Sequence, residues 1–172
     1  NLRSSDNVGL TVSALIRISK WWNMINNANF YYQQFNGSLG GTNLQNGKPV
    51  ADIRTNNSFS FRKGWSAEFN ANFNSGGQYG FMVLDPQWGI GVGVQKTILQ
   101  RKGTLRFNMT DIFWTNLPKA VITYDNYIEK WHAYRETRVA NLSFAYRFGN
   151  NKVQSARRRT TGSEEESGKR NH

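Results

Sequence analysis

The side chains able to make or break bonds are few and poorly placed for it. The chain has two histidines, His132 and His172, and no cysteine. A zinc-type centre needs several nitrogen or sulfur ligands at close spacing, and one histidine in a connection with another at the terminus does not supply them. Carboxylates are spread singly apart from Glu164-Glu165-Glu166, a run in a segment too polar to fold, where such charges are ordinarily solvated. Serines and aspartates are present, yet no spacing sets a base beside a nucleophile. Gly89, Gly91 and Gly93 alternate within a strand-like stretch with no Gly-Lys-Ser/Thr after them, which is not a phosphate loop. The expectation is therefore no enzyme, no metal and no cofactor.

Charge and composition narrow the class. At 172 residues the chain can form one domain with a core, and without cysteine it has no disulfide framework. Its net charge of +11 invites a nucleic-acid reading. The basic residues argue otherwise, because Lys20, Arg62-Lys63 and Arg101-Lys102 fall at expected turns and six more (Lys152, Arg157, Arg158, Arg159, Lys169, Arg170) lie near the end. They read as solvated turn and tail charges, so nucleic acid is not an expected partner. No apolar run reaches the roughly 18 residues of a membrane-crossing helix. Aromatics nevertheless make up 14% of a chain whose mean hydropathy is −0.66. Large apolar groups in a polar chain suit strands with one face in lipid and one in a wet interior.

The elements follow from period-2 alternation. In Arg138–Phe148, Ala140, Leu142, Phe144, Tyr146 and Phe148 share one face and Asn141, Ser143, Ala145 and Arg147 the other, with aromatic weight growing toward Gly149. That is the pattern of the closing strand of an outer-membrane barrel with its aromatic girdle; a half-buried strand of a soluble sandwich is the competing reading. Upstream, strands are expected at Gly9–Ser19, Trp22–Gln34, Asp52–Arg62, Trp65–Asn74, Gln87–Leu99 and Thr104–Phe113. In the second, Ile25 and Asn26 break the alternation. Trp65, Ala67, Phe69, Ala71 and Phe73 alternate most cleanly, against Ser66, Glu68, Asn70, Asn72 and Asn74. The three glycines bare one face of their strand, which lets backbone approach closely or lets the wall bend. Asp111 falls on the apolar face of its strand, so a bulge or the membrane boundary is expected just before it.

Connections alternate short and long. Lys20-Trp21, Arg62–Gly64 and Gln100–Gly103 are tight, while Phe35–Ala51, Ser75–Pro86 and Trp114–Tyr134 are long, the last expected as a projecting hairpin of the final two strands turning near Asp125-Asn126. Outer-membrane barrels have this asymmetry, with tight periplasmic turns and long outer loops. Trp21, Trp22 and Trp65 would form one interfacial belt and Trp88 and Trp114 the other. The fold expected is all-β, an antiparallel transmembrane β-barrel: 1–148 as its C-terminal portion of about seven strands and 149–172 as a charged periplasmic tail. Complete bacterial barrels have an even number of strands, eight or more. An odd count, with neither initiator Met nor signal-peptide core at Asn1, makes this the expected closing part of a larger barrel.

With these elements in place the chain resembles the C-terminal portion of TonB-dependent outer-membrane receptors, in particular the outer-membrane β-barrel family common in Bacteroidota. Asn108-Met109-Thr110-Asp111-Ile112-Phe113 is similar to that family's Asn-Asp-Ile-Phe element with two residues inserted. Arg138–Gly149 is similar to its Arg-Val-Asn-Leu-Ser…Tyr-Arg-Phe-Gly ending, with Ala140 added, and Arg157–Glu165 resembles the basic, Thr-Gly, acidic tail that often follows. The likeness runs over about residues 50–168. It implies a barrel of about 22 strands in the outer membrane of a Gram-negative bacterium, filled by a plug and driven by TonB. Neither plug nor TonB-contacting segment lies in these residues.

Function then rests on wall and gate. Arg54, Glu68, Asn70, Asn72, Arg106, Asn108 and Arg147 are the expected lumen-facing residues. Phe35, Tyr79, Phe81, Trp114, Tyr124, Tyr127 and Trp131 are expected in outer loops, where they capture a solute or serve only loop packing and the interfacial belt. Phe144, Tyr146 and Phe148 would act in assembly, since the resemblance implies that the insertion machinery reads the last strand, which must also pair with the first to remove the edge. Expected partners are outer-membrane lipid, the rest of the barrel with its plug, TonB, and a surface lipoprotein at the loops. The leading expectation is a transport barrel; the others are a barrel that anchors a partner protein or acts as a passive porin, and a soluble basic β-domain binding nucleic acid or glycan.

Overall fold

The computed structural model describes residues 2–39, 42–124 and 127–148. Two antiparallel sheets hold β1 (Leu2–Ser19), β2 (Trp22–Leu39), β3 (Thr42–Ser60), β4 (Trp65–Asn74), β5 (Gln78–Tyr79), β6 (Met82–Leu84), β7 (Gln87–Ile98), β8 (Gly103–Met109), β9 (Lys119–Tyr124), β10 (Tyr127–His132) and β11 (Ala140–Tyr146). The main sheet has seven strands in the order β1-β2-β3-β4-β7-β8-β11, and a second has four in the order β10-β9-β6-β5. All pairings are antiparallel, and among the described residues the main sheet is open at β1 and β11.

Register carries the alternation across the whole main sheet. Trp22, Phe59, Ala67, Val94, Phe107 and Leu142 lie in one lateral row, and Asn23, Ser58, Glu68, Gly93, Asn108 and Asn141 in a row on the opposite face. Among the described residues nothing covers the apolar rows, where Leu142 is 72% and Phe144 57% exposed. The two exceptions to the alternation behave as the register demands: Asn26 sits on the apolar face between Ala14 and Thr55, and Ile25 on the polar face between Leu15 and Asn56.

The expected polar loop at 35–51 is instead a continuation of β2 and β3, which stay paired from Trp22↔Phe59 to Leu39↔Thr42. Gly37 is carried within β2 between Leu2 and Leu44, whereas Gly47 and Pro49 would break a strand needing partners on both sides. Here β4 ends at Asn74 opposite Asp52, so β3 has one ladder neighbour beyond that point and Pro49 leaves no hydrogen bond unmade. Strands of 18 and 19 residues far exceed the 9–11 that cross a bilayer, so about 25 Å of β2 and β3, with β1 alongside, projects past β4 and the strands beyond it. Phe35 is thus a strand residue, and β1 likewise starts at Leu2 rather than Gly9.

The expected loop at 75–86 holds β5 and β6, and the hairpin of β9 and β10 joins these, Met82 pairing with Ile122, rather than extending β8 and β11. This second sheet rests on the polar face of the long hairpin. The Gln78 N–H donates to Gln33 Oε1 at 3.2 Å, and Phe35 (6% exposed) and Val50 (3%) are buried beneath Gly80 and Gly77. What little apolar core exists lies here. The opposite rim carries only tight turns: Lys20-Trp21, the 3₁₀ turn Arg62–Gly64 and the 3₁₀ turn Leu99–Arg101. β11 ends at Tyr146, leaving Phe148 beyond the strand with its ring against Tyr146 at 4.7 Å. Gly40-Gly41, the Asp125-Asn126 turn and 149–172 lie outside the described residues.

Candidate functional site

The polar face of the main sheet gathers most of the expected interior residues. Arg54 is opposite Asn72, Asn70 lies between Asn56 and Gly91, and Glu68 and Asn108 flank Gly93. Arg106 Nη2 reaches across β7 to Glu68 Oε2 at 2.7 Å. A Cβ at Gly93 would stand 3.6 Å from that same oxygen, an ordinary contact, so the ion pair passes over a position that an alanine could also fill. Both partners are nearly half exposed, so the pair orients charge more than it adds stability. Arg147 sits apart, one residue past β11 at the short-turn rim, where its N–H donates to Lys102 O at 2.8 Å.

Where the second sheet overhangs this face there is a cavity of about 630 Å³. Its floor is Arg54, Asn56, Asn70 and Asn72, its flank Asp52 and Asn74, and its roof Leu84 with Asn116. Asp52 Oδ1 accepts from Arg54 Nε at 3.1 Å, and Asp52 Oδ2 from Asn74 Nδ2 at 3.1 Å. Such a lining offers amide donors and acceptors with one charge pair, and no nucleophile–base couple. Among the described residues no three His, Cys, Asp or Glu side chains cluster to hold a metal. Alternation alone could have flagged Asp52, two residues from Arg54; Asn116 comes from a connection and gave no such signal.

The roof is fixed by Asp111. The strand β8 ends at Met109, and Asp111 at φ 43° swings its carboxylate off the apolar face toward Gly89. Its oxygens accept from Thr115 N–H (3.0 Å), Thr115 Oγ1–H (3.3 Å), Asn116 N–H (3.0 Å) and Thr137 Oγ1–H (2.6 Å). Burial alone would raise the Asp111 pKa, but those donors outweigh it and hold the carboxyl below its ordinary 3.8. Close approach explains two of the three glycines. A Cβ on Gly89 would stand 3.1 Å from Asn72 Oδ1 and 3.4 Å from Asn116 Cβ, and one on Gly91 3.3 Å from Met109 O. Gly89→Leu is therefore expected to lower stability by about 1–3 kcal/mol through overpacking, read as an earlier urea midpoint.

The expected loop aromatics disperse. Tyr79 is on β5, Phe81 in the turn after it, Tyr127 and Trp131 on β10, all in the second sheet. The side chain of Tyr124, on β9, lies outside the described residues. Trp114 donates from Nε1 to Arg135 O at 3.1 Å, with the Arg138 guanidinium 5.7 Å over its ring. The Tyr127 hydroxyl donates to Glu129 Oε2 at 2.9 Å, a bond that raises its pKa. Among the described side chains none of these rings lines the cavity, and Phe35 packs beneath the second sheet.

A profile for a family described as "Outer membrane protein beta-barrel family" matches residues 1–146. No curated protein and no solved structure matches the chain.

Proposed function

Because the chain belongs to the outer membrane protein β-barrel family and so resides in the outer membrane, we propose that it supplies wall, inner face and outer sheet to a solute importer energised by TonB. Family membership removes the soluble-domain reading, and it accounts for an apolar face that none of the described residues covers: its solvent is lipid. The observation that carries the import reading is the roofed polar cavity of about 630 Å³ on the inner face. A passive pore needs an unobstructed lumen, whereas a cavity with convergent amides and one ion pair is a place where a polar solute pauses. The TonB step, the plug and a barrel of about 22 strands rest on the resemblance carried by Asn108–Phe113 and Arg138–Gly149. On this reading the tight turns face the periplasm and the second sheet faces outward.

In planar bilayers the intact protein should stay closed and bind the purified periplasmic domain of TonB. A steady open conductance without TonB binding would favour the porin instead. In cells offered iron chelates, oligosaccharides and peptides in turn, one class should enter in a TonB-dependent way. Asn72→Trp, which fills the cavity floor, should reduce that uptake about tenfold, the worth of one lost solute hydrogen bond, at unchanged surface level. Uptake of every class unaffected by TonB loss would overturn the proposal.

A further inference from the structure

The short-turn rim is cationic without compensation. Lys20, Arg62, Lys63, Arg101, Lys102 and Arg147 stand on it, and its turns carry no carboxylate among the described residues. The ion pairs Arg54–Asp52 and Arg106–Glu68 lie on the polar face of the sheet and engage none of the six. In sequence these cations look scattered; the fold joins them. The Arg62–Gly64 and Leu99–Arg101 turns flank one cavity of about 460 Å³ bounded by Lys63 and Arg101, while a second of about 340 Å³, bounded by Lys102 and Arg147, opens beside Thr104 and Ala145 on the polar face.

A second observation says what such a rim meets. Immediately beside the cations, Trp21, Phe61 and Trp65 are about half exposed, with the Trp21 and Phe61 rings stacked at 6.0 Å. Lys96, on the apolar face, lays its Nζ 4.6 Å from the Trp65 ring centroid and donates to Lys63 O at 2.7 Å. That is a lysine bringing its charge out of hydrocarbon to the polar boundary. Unpaired cations and exposed rings thus meet along one line. A ligand that satisfies both has an anionic head and apolar chains.

We propose that this rim is a binding site for anionic phospholipid, the phosphate held between Lys63 and Arg101 with Lys102 beside them and the acyl chains lying on the aromatic belt. A soluble polyanion would satisfy the cations and leave the rings in water; lipid covers both. The site rests on the chain's membrane residence and on the tight turns facing the periplasm, and not on solute import.

The test uses the intact protein in mild detergent, titrated with phosphatidylglycerol or phosphatidylcholine and read by native mass spectrometry. Phosphatidylglycerol should be retained over phosphatidylcholine. Arg101→Gln with Lys102→Gln should weaken that retention about 25-fold, near fivefold per cation. The charge-keeping pair Arg101→Lys with Lys102→Arg should retain it. Lys119→Gln with Lys130→Gln, on the second sheet, should leave it unchanged, and higher salt should weaken it. Equal retention of both lipids, equal loss in the second-sheet control, or loss in the charge-keeping pair would overturn the proposal. So would lipid A displacing phosphatidylglycerol, which sets this rim in the other leaflet, or a short oligonucleotide competing as well as the lipid. A failed importer assay with retained lipid selectivity would count against the import reading alone.

Discussion

Phe69→Arg is expected to cost the folded protein about 3 kcal/mol in a bilayer, while Asn70→Arg, its neighbour in sequence, changes stability by less than about 0.5 kcal/mol. The two residues occupy adjacent positions of β4 and opposite faces. Phe69 stands between Asn57 and Val92 in the row that also holds Met109 and Ala140, midway along the strand and away from either aromatic belt. An arginine there must place a guanidinium in hydrocarbon or bend its stem far enough to reach a rim. Asn70, opposite Gly91 and Asn56, faces the cavity, where a long cationic side chain meets water and amides. Urea unfolding in lipid vesicles, followed through the six tryptophans, measures both variants. A comparable cost at the two positions would mean that lipid is not the solvent of the Phe69 face.

The same alternation explains what could be read from sequence and where reading failed. Trp65–Asn74 is recovered residue for residue because both its faces are set by neighbours on both sides. The stretch from Phe35 to Ala51 misleads because proline breaks a strand only where two ladders must be satisfied and β3 has one at Pro49, while Gly37 is held in β2 by a ladder on each side. The β9–β10 hairpin was legible as strand-like stretches, but its union with β5 and β6 is invisible to a local pattern, since β6 is three residues long and its partner strand begins at Lys119. The Arg54–Asp52 pair was within reach of an i, i+2 argument. The Arg106–Glu68 pair was not, for it joins β8 to β4 across the whole of β7. Basic turns that are far apart in sequence become one cationic rim for the same reason: adjacency across a sheet is set by register, not by distance along the chain.

Asp111→Ala is expected to release the roof over the cavity, at a cost of about 3 kcal/mol. Asp111 is 6% exposed and takes four hydrogen bonds, two of them from the backbone N–H groups of Thr115 and Asn116. Removal leaves those donors without an acceptor and frees Thr137, which ties the segment before β11 to the turn after β8. Asp111→Asn keeps the shape but presents an amide where a second acceptor stood, so about half the effect should remain. Trypsin cleavage after Arg135 and Arg138 should speed up in the order wild type, Asn, Ala. The acid response has a fixed sign. Because the folded carboxyl titrates below its ordinary 3.8, the clasp is fully present above that value and weakens as pH falls through the lowered one. Hydrogen exchange at 111–117 should therefore rise, relative to β4, only below about pH 3.8, and Asp111→Asn should abolish that pH dependence. An unchanged acid response in Asp111→Asn would assign it to another group and remove Asp111 from its place as the clasp of the roof.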